Sequence, residues 1–359
     1  MASGPLVGLK VVEFAGLGPG PFAGMLLSDL GAEVVEIARE GAPPPAAFRG
    51  DSRGRKRICL NLKTPEAVAT CLELVEKADI VFEGNRPGVM ERLGLGPDVM
   101  LARNPALVYG RMTGWGQYGP LSHAAGHDIN YLAITGLLHA IGPAERPVAP
   151  LNLGADYGGG AMFLVVGMLA AVLNARATGK GQVVDAAMTD CATYLGSLFH
   201  HFFAGGVWED RREANLLDGG AHFYGTYECA DGRFVAIGSI EPQFYQLLLD
   251  KTGAAELLAH KQMDKAHWSE MREALRKVFL TRTRDQWCAL MEGTDVCFAP
   301  VLSLAEAREH PHQVERKVFV EAGGVTQVAP APRFSETPGE IQWPPAGWSG
   351  TVNDILANW

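Results

Sequence analysis

The sequence predicts an α/β fold in which a large domain with a parallel sheet is combined with a smaller α+β domain. In the first half of the chain, apolar runs of strand type alternate with glycine turns and helical runs, which is the order expected of a parallel sheet with crossover helices. The second half instead shows a hairpin pattern followed by helices. A length of 359 residues also favours two domains over one.

Apolar periodicity predicts the individual elements, because buried strands are continuous apolar runs and helices repeat every three to four positions. In the first half, the predicted strands are residues 9–14, 33–37, 58–62, 79–83, 107–112 and 182–187, and the predicted helices are residues 22–30, 66–77 and 162–174. In the second half, residues 226–238 predict a hairpin that turns at Ala230-Asp231-Gly232. The helices predicted there are residues 242–251, 269–280 and 285–292.

These elements group into two domains. The large domain is placed at residues 1–190 and the small α+β domain at residues 222–315, with residues 191–221 and 316–329 as linkers. The C-terminal tail, residues 330–359, begins in a proline-rich stretch with little expected regular structure. We expect this tail to return to the large domain and complete it.

Composition excludes several classes of protein. A net charge of -9 and a pI near 5.6 argue against a nucleic-acid-binding protein. The six cysteines contain no Cys-x-x-Cys pair and no cluster with histidine, so neither a metal site nor a disulfide framework is expected. The longest uncharged apolar run, residues 161–173, is too short to cross a bilayer. With no export-signal pattern either, we expect a cytoplasmic protein without a membrane partner.

A glycine turn follows the first predicted strand. Gly16-Leu17-Gly18 begins like the dinucleotide fingerprint of the Rossmann fold. The third glycine position of that fingerprint is occupied by Pro21, and Arg39 follows closely after the acidic end of the second strand. We therefore interpret this segment as a tight turn that lets helix and strand pack in a Rossmann-like parallel sheet, and not as a nicotinamide site.

Basic residues concentrate near the ends of several predicted strands. A basic run precedes the third strand at Arg49, Arg53, Arg55, Lys56 and Arg57. Further cations follow other strands at Arg39, Lys63, Arg86 and Arg92. Ligands of open α/β sheets lie at the carboxyl ends of the strands, and the rigid arginine fork matches phosphate oxygens. Two interpretations of the basic run stay open here, a solvated charged loop and a pocket for a ligand with several phosphates.

Two compact polar segments are candidates for chemistry. Residues 125–131 contain His127, and residues 151–160 place Asp156 just before an apolar helix, where a carboxylate can act as a simple cap. Three glycines at residues 158–160 weaken a helix start. Their N–H groups are therefore candidates to stabilise a developing oxyanion.

These two segments, together with "TGKGQVVDAAM" and "LLDGGAHFYGTYECADG" followed by "IEPQF", resemble the alpha-methylacyl-CoA racemases of the family III CoA-transferase superfamily. The resemblance extends from Leu9 to about Pro332. It implies an isomerase of lipid metabolism that interconverts (2R)- and (2S)-2-methylacyl-CoA thioesters by 1,1-proton transfer through an enolate. It also implies an interlocked homodimer whose large domain binds coenzyme A, which is part of the substrate, so that no separate cofactor or metal is expected.

The resemblance also implies roles for individual residues. His127 and Asp156 match the acid/base pair, Asn152 matches an asparagine that orients the site, and Glu241 matches a glutamate that supports the histidine across the dimer interface. The residues expected around the coenzyme A thioester are Arg39, Leu60, Asn61, Leu62, Lys63, Gly84, Asn85, Arg86, Arg92, Gly126, Asp128, Ile129, Asn130 and Tyr131.

Inversion of a carbon α to a thioester explains why two groups are needed. One group removes the proton from one face and the other returns a proton to the opposite face. A histidine and an aspartate can do this near neutral pH if the pKa of the aspartate is raised. The alternative is a family III CoA-transferase with Asp156 as nucleophile. His127 and the Glu241-Pro242-Gln243-Phe244 segment, which stands in place of a glycine-rich loop, favour the racemase. A non-enzymatic acyl-CoA-binding protein would leave the pair without a role.

Three features depart from the racemase pattern. Asn61 stands where aspartate is common, so that the adenosine contacts are expected to differ. His222 stands where proline is common and is expected to change the acyl-side wall or the contact with the partner subunit. The three prolines at residues 43–45 are not part of the racemase pattern, so the resemblance does not predict the shape of their loop.

Overall fold

The computed structural model describes residues 3–254, 256–257 and 260–359. The chain forms two compact units. The first contains Met1–Thr135, Pro150–Gly196 and Glu315–Trp359, and the second contains Gly136–Ala149 and Ser197–Val314. Each unit has its own core of buried apolar side chains, as expected of a domain.

Strands and helices alternate through the first half of the chain. The elements are β1 (Lys10–Phe14), α1 (Pro19–Asp29), β2 (Glu33–Arg39), β3 (Arg55–Leu60), α2 (Pro65–Lys77), β4 (Ile80–Glu83), α3 (Val89–Arg92), α4 (Pro97–Arg103), β5 (Val108–Thr113), α5 (Asp128–Ala133), α6 (Leu137–Ala140), a π-helix (Leu153–Ala161), α7 (Met162–Thr178), β6 (Gln182–Ala187) and α8 (Met188–Leu195). All six strands predicted for this half are present, with ends displaced by at most three residues.

The second half is mostly helical, with short strands. Its elements are α9 (Ser197–Ala204), β7 (Tyr224–Glu228), β8 (Phe234–Gly238), α10 (Pro242–Thr252), α11 (Trp268–Phe279), α12 (Arg284–Met291), β9 (Phe298–Pro300), α13 (Leu304–Glu309), α14 (Pro311–Glu315), β10 (Phe319–Ala322), β11 (Val325–Val328) and α15 (Val352–Asn358). The predicted hairpin and the three helices predicted after it are present as β7, β8, α10, α11 and α12.

The first unit is built on a parallel sheet with the strand order β3-β2-β1-β4-β5-β6. Central strand β1 pairs on both sides, with Val12 opposite Val35 of β2 and Val81 of β4. All three valines are fully buried, which explains why these strands are continuous apolar runs. The predicted Rossmann-like parallel sheet is confirmed.

Helix α7 packs directly on this sheet. A Cβ on Gly110 in β5 would lie 2.7 Å from Met168 Sδ and 2.9 Å from Leu164 Cδ1. Only glycine therefore allows the helix to approach the strand so closely. Together with the preceding π-helix, α7 forms a 26-residue stretch, Leu153–Thr178, that is long and apolar enough to cross a membrane by length and composition. The expectation that this segment is too short to cross a bilayer, drawn from the uncharged run at residues 161–173, is wrong in length, because the helical stretch extends beyond that run at both ends. Half of the most apolar window of the stretch is buried, as expected of a helix packed on a sheet.

Strand β3 begins three residues earlier than predicted, at Arg55, so the basic run enters the strand instead of preceding it. Arg55 is buried, and its Nε donates to the buried Glu13 on β1 at 2.9 Å. Arg53 donates to both oxygens of the buried Asp29 at the end of α1, at 3.1 and 2.5 Å. Arg55 therefore ties β3 to β1, and Arg53 ties the segment before β3 to the end of α1.

Three segments lie outside the predicted domain boundaries. Residues 136–149, predicted in the large domain, belong to the second unit, because Arg212 donates to the carbonyls of His139, Pro143 and Ala144. Residues 197–221, predicted within a linker, also belong there. Residues 316–329, predicted as a linker, form the β10–β11 hairpin of the first unit. Arg53 holds this hairpin through the Gln327 side chain and the Val328 carbonyl, at 3.0 and 2.8 Å.

The C-terminal tail packs on the first unit. Gln342 donates to the carbonyls of Ser28 and Ala32 at 2.6 and 3.0 Å, and Ile355 of α15 is fully buried in the core beside β1 and α2. Lys10 Nζ donates to the carbonyl of Trp359 at 2.7 Å. These contacts account for the order of a segment that has little periodicity of its own.

The second unit is centred on an antiparallel sheet with the strand order β7-β8-β9. Its core contains Phe223, Leu248, Phe279 and Trp287. His222 belongs to this core. It is fully buried, and its Nε2 lies 2.8 Å from the Tyr245 hydroxyl. Burial lowers the pKa of His222 to about 4. The expectation that His222 shapes an acyl-side wall or a partner contact is therefore wrong, because its side chain is enclosed within this unit.

Candidate active site

A cavity of about 520 Å³ lies in the first unit at the carboxyl ends of β1, β4 and β5. We call it the central cavity. Its walls include Phe14 at the end of β1, Gly84 after β4 and Thr113 at the end of β5. Strands β1 and β4 are the neighbours at which the strand order reverses, and open α/β sheets bind ligands at that point. The topology of the sheet thus places the cavity where a ligand is expected.

His127 lines the central cavity from the position preceding α5. Its N–H donates to Asn130 Oδ1 at 3.1 Å, and its carbonyl accepts from the N–H of Asn130 at 2.8 Å. This reciprocal pair, similar to a capping box, fixes the backbone at the start of the helix. Tyr131 adds a second fixed point, because its hydroxyl donates to the carbonyl of Gly126. The imidazole is therefore carried by a well-anchored turn.

Asp156 lines the same cavity from the first turns of the π-helix. The backbone is already helical at Leu153, so the expectation that Asp156 caps the following helix is wrong. Burial raises the pKa of Asp156, and the nearby negative charge of Asp128 raises it further. A hydrogen bond from Asn152, whose Nδ2 lies 3.5 Å from Asp156 Oδ2, and the proximity of His127 act in the opposite direction. The structure thus brings His127, Asp156 and Asn152 together.

The glycines at residues 158–160 do not provide free N–H groups, contrary to the prediction. In a π-helix each N–H donates to the carbonyl five residues earlier, as the N–H of Met162 does to Tyr157. The glycines instead allow close packing. A Cβ on Gly159 would lie 2.8 Å from the backbone of Ala192 in α8, and one on Gly160 would lie 2.9 Å from the carbonyl oxygen of Ala155.

Of the five residues at 126–131 predicted around coenzyme A, two line the central cavity. Gly126 and Tyr131 line the central cavity. The Asp128 carboxylate instead points inward, is buried, and accepts from the N–H groups of Ala155 and Asp156. Ile129 is exposed, and the side chain of Asn130 is bonded to His127. Asp128 is among the residues predicted around coenzyme A, and the structure places its side chain inside the fold and outside the lining of the central cavity.

A second cavity of about 610 Å³, the side cavity, lies at the ends of β2 and β3. It shares Phe14 and Asn85 with the central cavity. Its lining includes six of the residues predicted to hold coenzyme A, namely Arg39, Leu60, Asn61, Leu62, Lys63 and Asn85. Gly84 and Arg86 line the central cavity. Arg92, on α3, is exposed with its guanidinium near Gly88 and lies outside the linings of both cavities.

Pairing separates two classes of basic residue. All five members of the basic run are matched with carboxylates, Arg49 with Asp51, Arg53 with Asp29, Arg55 with Glu13, Lys56 with Glu33 and Arg57 with Glu36. Arg53 and Arg55 are buried and paired, so they belong neither to a solvated loop nor to a phosphate pocket. By contrast, Arg39, Lys63 and Arg86 form no ion pair within the described residues, and they line the cavities.

Sequence reasoning missed several cavity residues. Gly18 precedes α1 with a positive φ of 66°, and a Cβ there would lie 3.1 Å from Asp156 Oδ2. Glycine at this position therefore allows the turn before α1 to lie close to the Asp156 carboxylate. The dinucleotide fingerprint did not predict this role. Trp115 packs edge-on against Tyr131 with ring centroids 4.8 Å apart, and Met112 and Met188 complete the wall. A signal for Trp115 was its position just after a strand end.

Three further features lie in other parts of the chain. Glu241 precedes α10 in the second unit and is exposed. The loop at residues 43–45 lines a separate cavity of about 410 Å³, together with Arg49 and Arg57. His260, His267 and Glu270 form a surface group with ligand atoms within 4.8 Å of one another in the second unit.

Comparison with known proteins identifies the family. The model of CoA-transferase family III matches residues 6–349. The chain is 44% identical to alpha-methylacyl-CoA racemase of Mus musculus over 335 residues, which cover 93% of this chain and 87% of the mouse protein. It is 43% identical to alpha-methylacyl-CoA racemase of Homo sapiens over 336 residues, with the same coverage of 93% and 87%.

Solved structures agree with these sequence matches. A crystal structure from Mycobacterium tuberculosis superposes with a TM-score of 0.81 at 26% identity, covering 96% of this chain and 97% of that one. A CAIB/BAIF family protein from Brucella suis gives a TM-score of 0.80 at 26% identity, covering 99% and 98%. The family resemblance drawn from the motifs is thus confirmed, and the chain belongs to CoA-transferase family III.

Proposed function

We propose that the protein is an isomerase that interconverts the (2R) and (2S) epimers of 2-methylacyl-CoA thioesters. One observation carries this proposal. One cavity at the carboxyl ends of the parallel strands is lined by both His127 and Asp156, and the pKa of the Asp156 carboxyl group is raised. Two relatives that are 43% and 44% identical over 93% of the chain are named alpha-methylacyl-CoA racemase, which supports the same reaction.

The proposed reaction moves one proton off the α-carbon and another onto it. Neutral His127 removes the α-proton from one face, and the electron pair of the C–H bond moves to the thioester oxygen to form an enolate. Protonated Asp156 then donates its proton to the opposite face of the same carbon. The other epimer reacts with the roles of the two groups reversed. A raised pKa of Asp156 supports this scheme, because burial and the nearby Asp128 charge favour the protonated form of the carboxyl group.

The enolate needs hydrogen-bond donors, and one such donor is worth roughly 3–4 kcal/mol. The first two N–H groups of α5, those of Asp128 and Ile129, have no preceding helical carbonyl to bond, and this helix starts directly after His127. We assign them the role that the glycines at residues 158–160 do not fill. The coenzyme A portion supplies binding energy and position without taking part in the proton transfers. The scheme requires no metal or redox cofactor.

We assign the coenzyme A phosphates to the free cations Arg39 and Lys63 of the side cavity. Replacing either by alanine is expected to raise KM for the acyl-CoA by roughly 10- to 100-fold, since a hydrogen bond to a charged group is worth about 1.5–3 kcal/mol. The kcat value should stay close to that of the wild type, because this binding is shared by ground state and transition state. Steady-state kinetics test this, with Arg103→Ala on α4 as an exposed-cation control. A fall in kcat at unchanged KM would contradict the assignment.

The alternative within the family is CoA transfer with Asp156 as nucleophile. The two reactions differ in their need for a co-substrate. An isomerase converts one pure epimer into a mixture on its own, whereas a transferase requires an acceptor acid and passes CoA to it. Incubation of the wild type with one epimer of a 2-methylacyl-CoA and an unrelated carboxylic acid, followed by chiral chromatography and mass spectrometry, separates them. Epimerisation without CoA on the added acid is expected, and the reverse result would establish the transferase.

We also propose that the protein acts as an interlocked homodimer in the cytoplasm. Met162, Val166 and Leu173 present an exposed apolar face on α7, with exposed fractions of 43%, 62% and 70%, and apolar patches of this kind favour a protein interface. A second copy would cover this face and bring Glu241 of its own second unit within reach of His127. The described cysteines are free thiols, which suits a reducing compartment. Sedimentation equilibrium should give twice the chain mass of 38.5 kDa, and a purely monomeric active enzyme would contradict the dimer.

A further inference from the structure

The Asp128 side chain joins the two segments that carry the proposed acid/base pair. Asp128 is the first residue of α5, directly after His127, and it is 5% exposed. Its Oδ1 accepts from the N–H of Ala155 at 2.8 Å and from the N–H of Asp156 at 2.6 Å. Both N–H groups lie in the first turn of the π-helix, where no helical carbonyl is available to accept them. One oxygen therefore ties the backbone of Asp156 to the turn that carries His127.

The second oxygen of Asp128 indicates that its charge matters as well. Asp128 Oδ2 is buried and has no hydrogen-bond partner among the described residues. A neutral asparagine or serine can bond helix N–H groups equally well, and it avoids the cost of burying a charge. Capping alone therefore does not explain a buried carboxylate with one unpaired oxygen, because a neutral side chain would cap at a lower cost in free energy. What the charge adds is a negative field at Asp156, which raises the pKa of that carboxyl group.

We propose that Asp128 is a positioning residue. It holds the Asp156 backbone in place relative to His127 and places a negative charge beside the Asp156 carboxyl group. This inference rests on the proposed function for its effect on turnover. Its structural and electrostatic parts concern Asp156 alone and can be measured in a protein of any activity. The Asp128 carboxylate touches neither substrate nor the reacting carbon, and only the backbone N–H of Asp128 is assigned to the enolate.

The surroundings of Asp156 show which group controls its proton. It faces Asp128 at the start of α5 and His127 just before it, Asn152 just before the π-helix, and the uncharged Gly18 in the turn before α1. Tyr131 and Arg86 line the same cavity. Asp128 is the neighbouring carboxylate that opposes ionisation of Asp156. Removing its charge should therefore let Asp156 lose its proton at lower pH.

The test compares Asp128→Asn, which keeps the Oδ1 acceptor and removes the charge, with Asp128→Ala, which removes both. Asp98→Asn, an exposed aspartate on α4, is the control for loss of one negative charge. Three quantities are measured on the full chain. They are amide hydrogen exchange at Ala155 and Asp156, the carbon-13 NMR titration of the Asp156 carboxyl group, and the pH dependence of kcat/KM for epimerisation.

In Asp128→Asn, we expect the two amides to stay protected, the Asp156 titration to move to lower pH, and the acid limb of the kcat/KM profile to move with it. In Asp128→Ala, we expect faster exchange of both amides and a fall in kcat of about 10²-fold, the cost typical of a displaced catalytic group. An unchanged Asp156 titration in Asp128→Asn would overturn the inference, as would unchanged amide exchange in Asp128→Ala.

Because Asp128→Ala leaves two buried N–H groups unpaired and can fail to fold, the nearly isosteric Asp128→Asn carries the decisive comparison. The first two measurements do not depend on turnover. A wild type that fails to epimerise any 2-methylacyl-CoA would therefore contradict the proposed function, while the titration and amide exchange would still decide the role of Asp128.

Discussion

Replacement of Asp156 by asparagine is expected to lower the rate of epimerisation by about 10³-fold, and His127→Ala should do the same, because a positioned general acid or base typically contributes 10²- to 10⁴-fold. Each variant removes one of the two proton carriers, so the α-carbon can be deprotonated on one face but not reprotonated efficiently on the other. The two effects should not add, since either loss already breaks the transfer. Chiral analysis of acyl-CoA products over time measures the rates.

Folding is not expected to account for this loss. Asp156→Asn is isosteric, keeps the backbone N–H that donates to Asp128, and removes a carboxylate whose pKa is raised by burial. Asp98→Asn serves as the matched control, because it removes an exposed carboxylate on α4. Retention of more than a tenth of the wild-type rate by Asp156→Asn would be inconsistent with Asp156 as a proton carrier.

The second large effect concerns stability. Arg55→Ala is expected to reduce the free energy of unfolding by about 3–5 kcal/mol, because it leaves the buried carboxylate of Glu13 without its partner. Arg57→Ala is the matched control on the same strand, since Arg57 lies 3.9 Å from Glu36 and is partly exposed. We expect that change to cost less than about 1 kcal/mol. Urea denaturation of both variants measures the difference.

The loss in Arg55→Ala should also depend on pH. Burial raises the pKa of Glu13 to about 7 even with Arg55 present, and Arg55 acts to lower it. A raised pKa means that the folded state binds more protons than the unfolded state between about 4.5 and 7, so this group contributes less stability as pH rises through that window. Without Arg55 the folded carboxyl group must stay protonated to remain buried, so the destabilisation should be smaller at pH 5 than at pH 8. An unchanged stability together with a raised KM for acyl-CoA would instead make Arg55 a ligand residue.

The parallel sheet could be predicted because its central strands are buried on both faces. Val11, Val12, Ile80 and Val81 are fully enclosed, and such strands leave continuous apolar runs in the sequence. The start of β3 was misplaced for the opposite reason. Arg55 is a charged residue on a buried strand, and its partner Glu13 is 42 positions away. No local pattern reveals a pairing of that kind.

The acid/base residues could be predicted from motifs, but their surroundings could not. Residues 158–160 suggested an accessible helix start, whereas Gly159 is packed against Ala192 of α8. Likewise, Asp128 lies in a motif that suggests ligand contact, yet its carboxylate bonds two N–H groups 27 and 28 residues further along. The membership of residues 136–149 in the second unit depends on Arg212, about 70 residues later. In each case the deciding contact joins segments far apart in the chain.

The central claim is that His127 and Asp156 serve opposite faces of the α-carbon, and proton exchange in deuterated water tests it most directly. Each pure epimer of a 2-methylacyl-CoA is incubated with Asp156→Asn or His127→Ala, and NMR follows deuterium at the α-carbon and the epimer ratio. We predict that each variant exchanges the α-proton of only one epimer, without inversion, and that the two variants choose opposite epimers. Exchange of both epimers by either variant, or the same epimer chosen by both, would contradict the two-sided site.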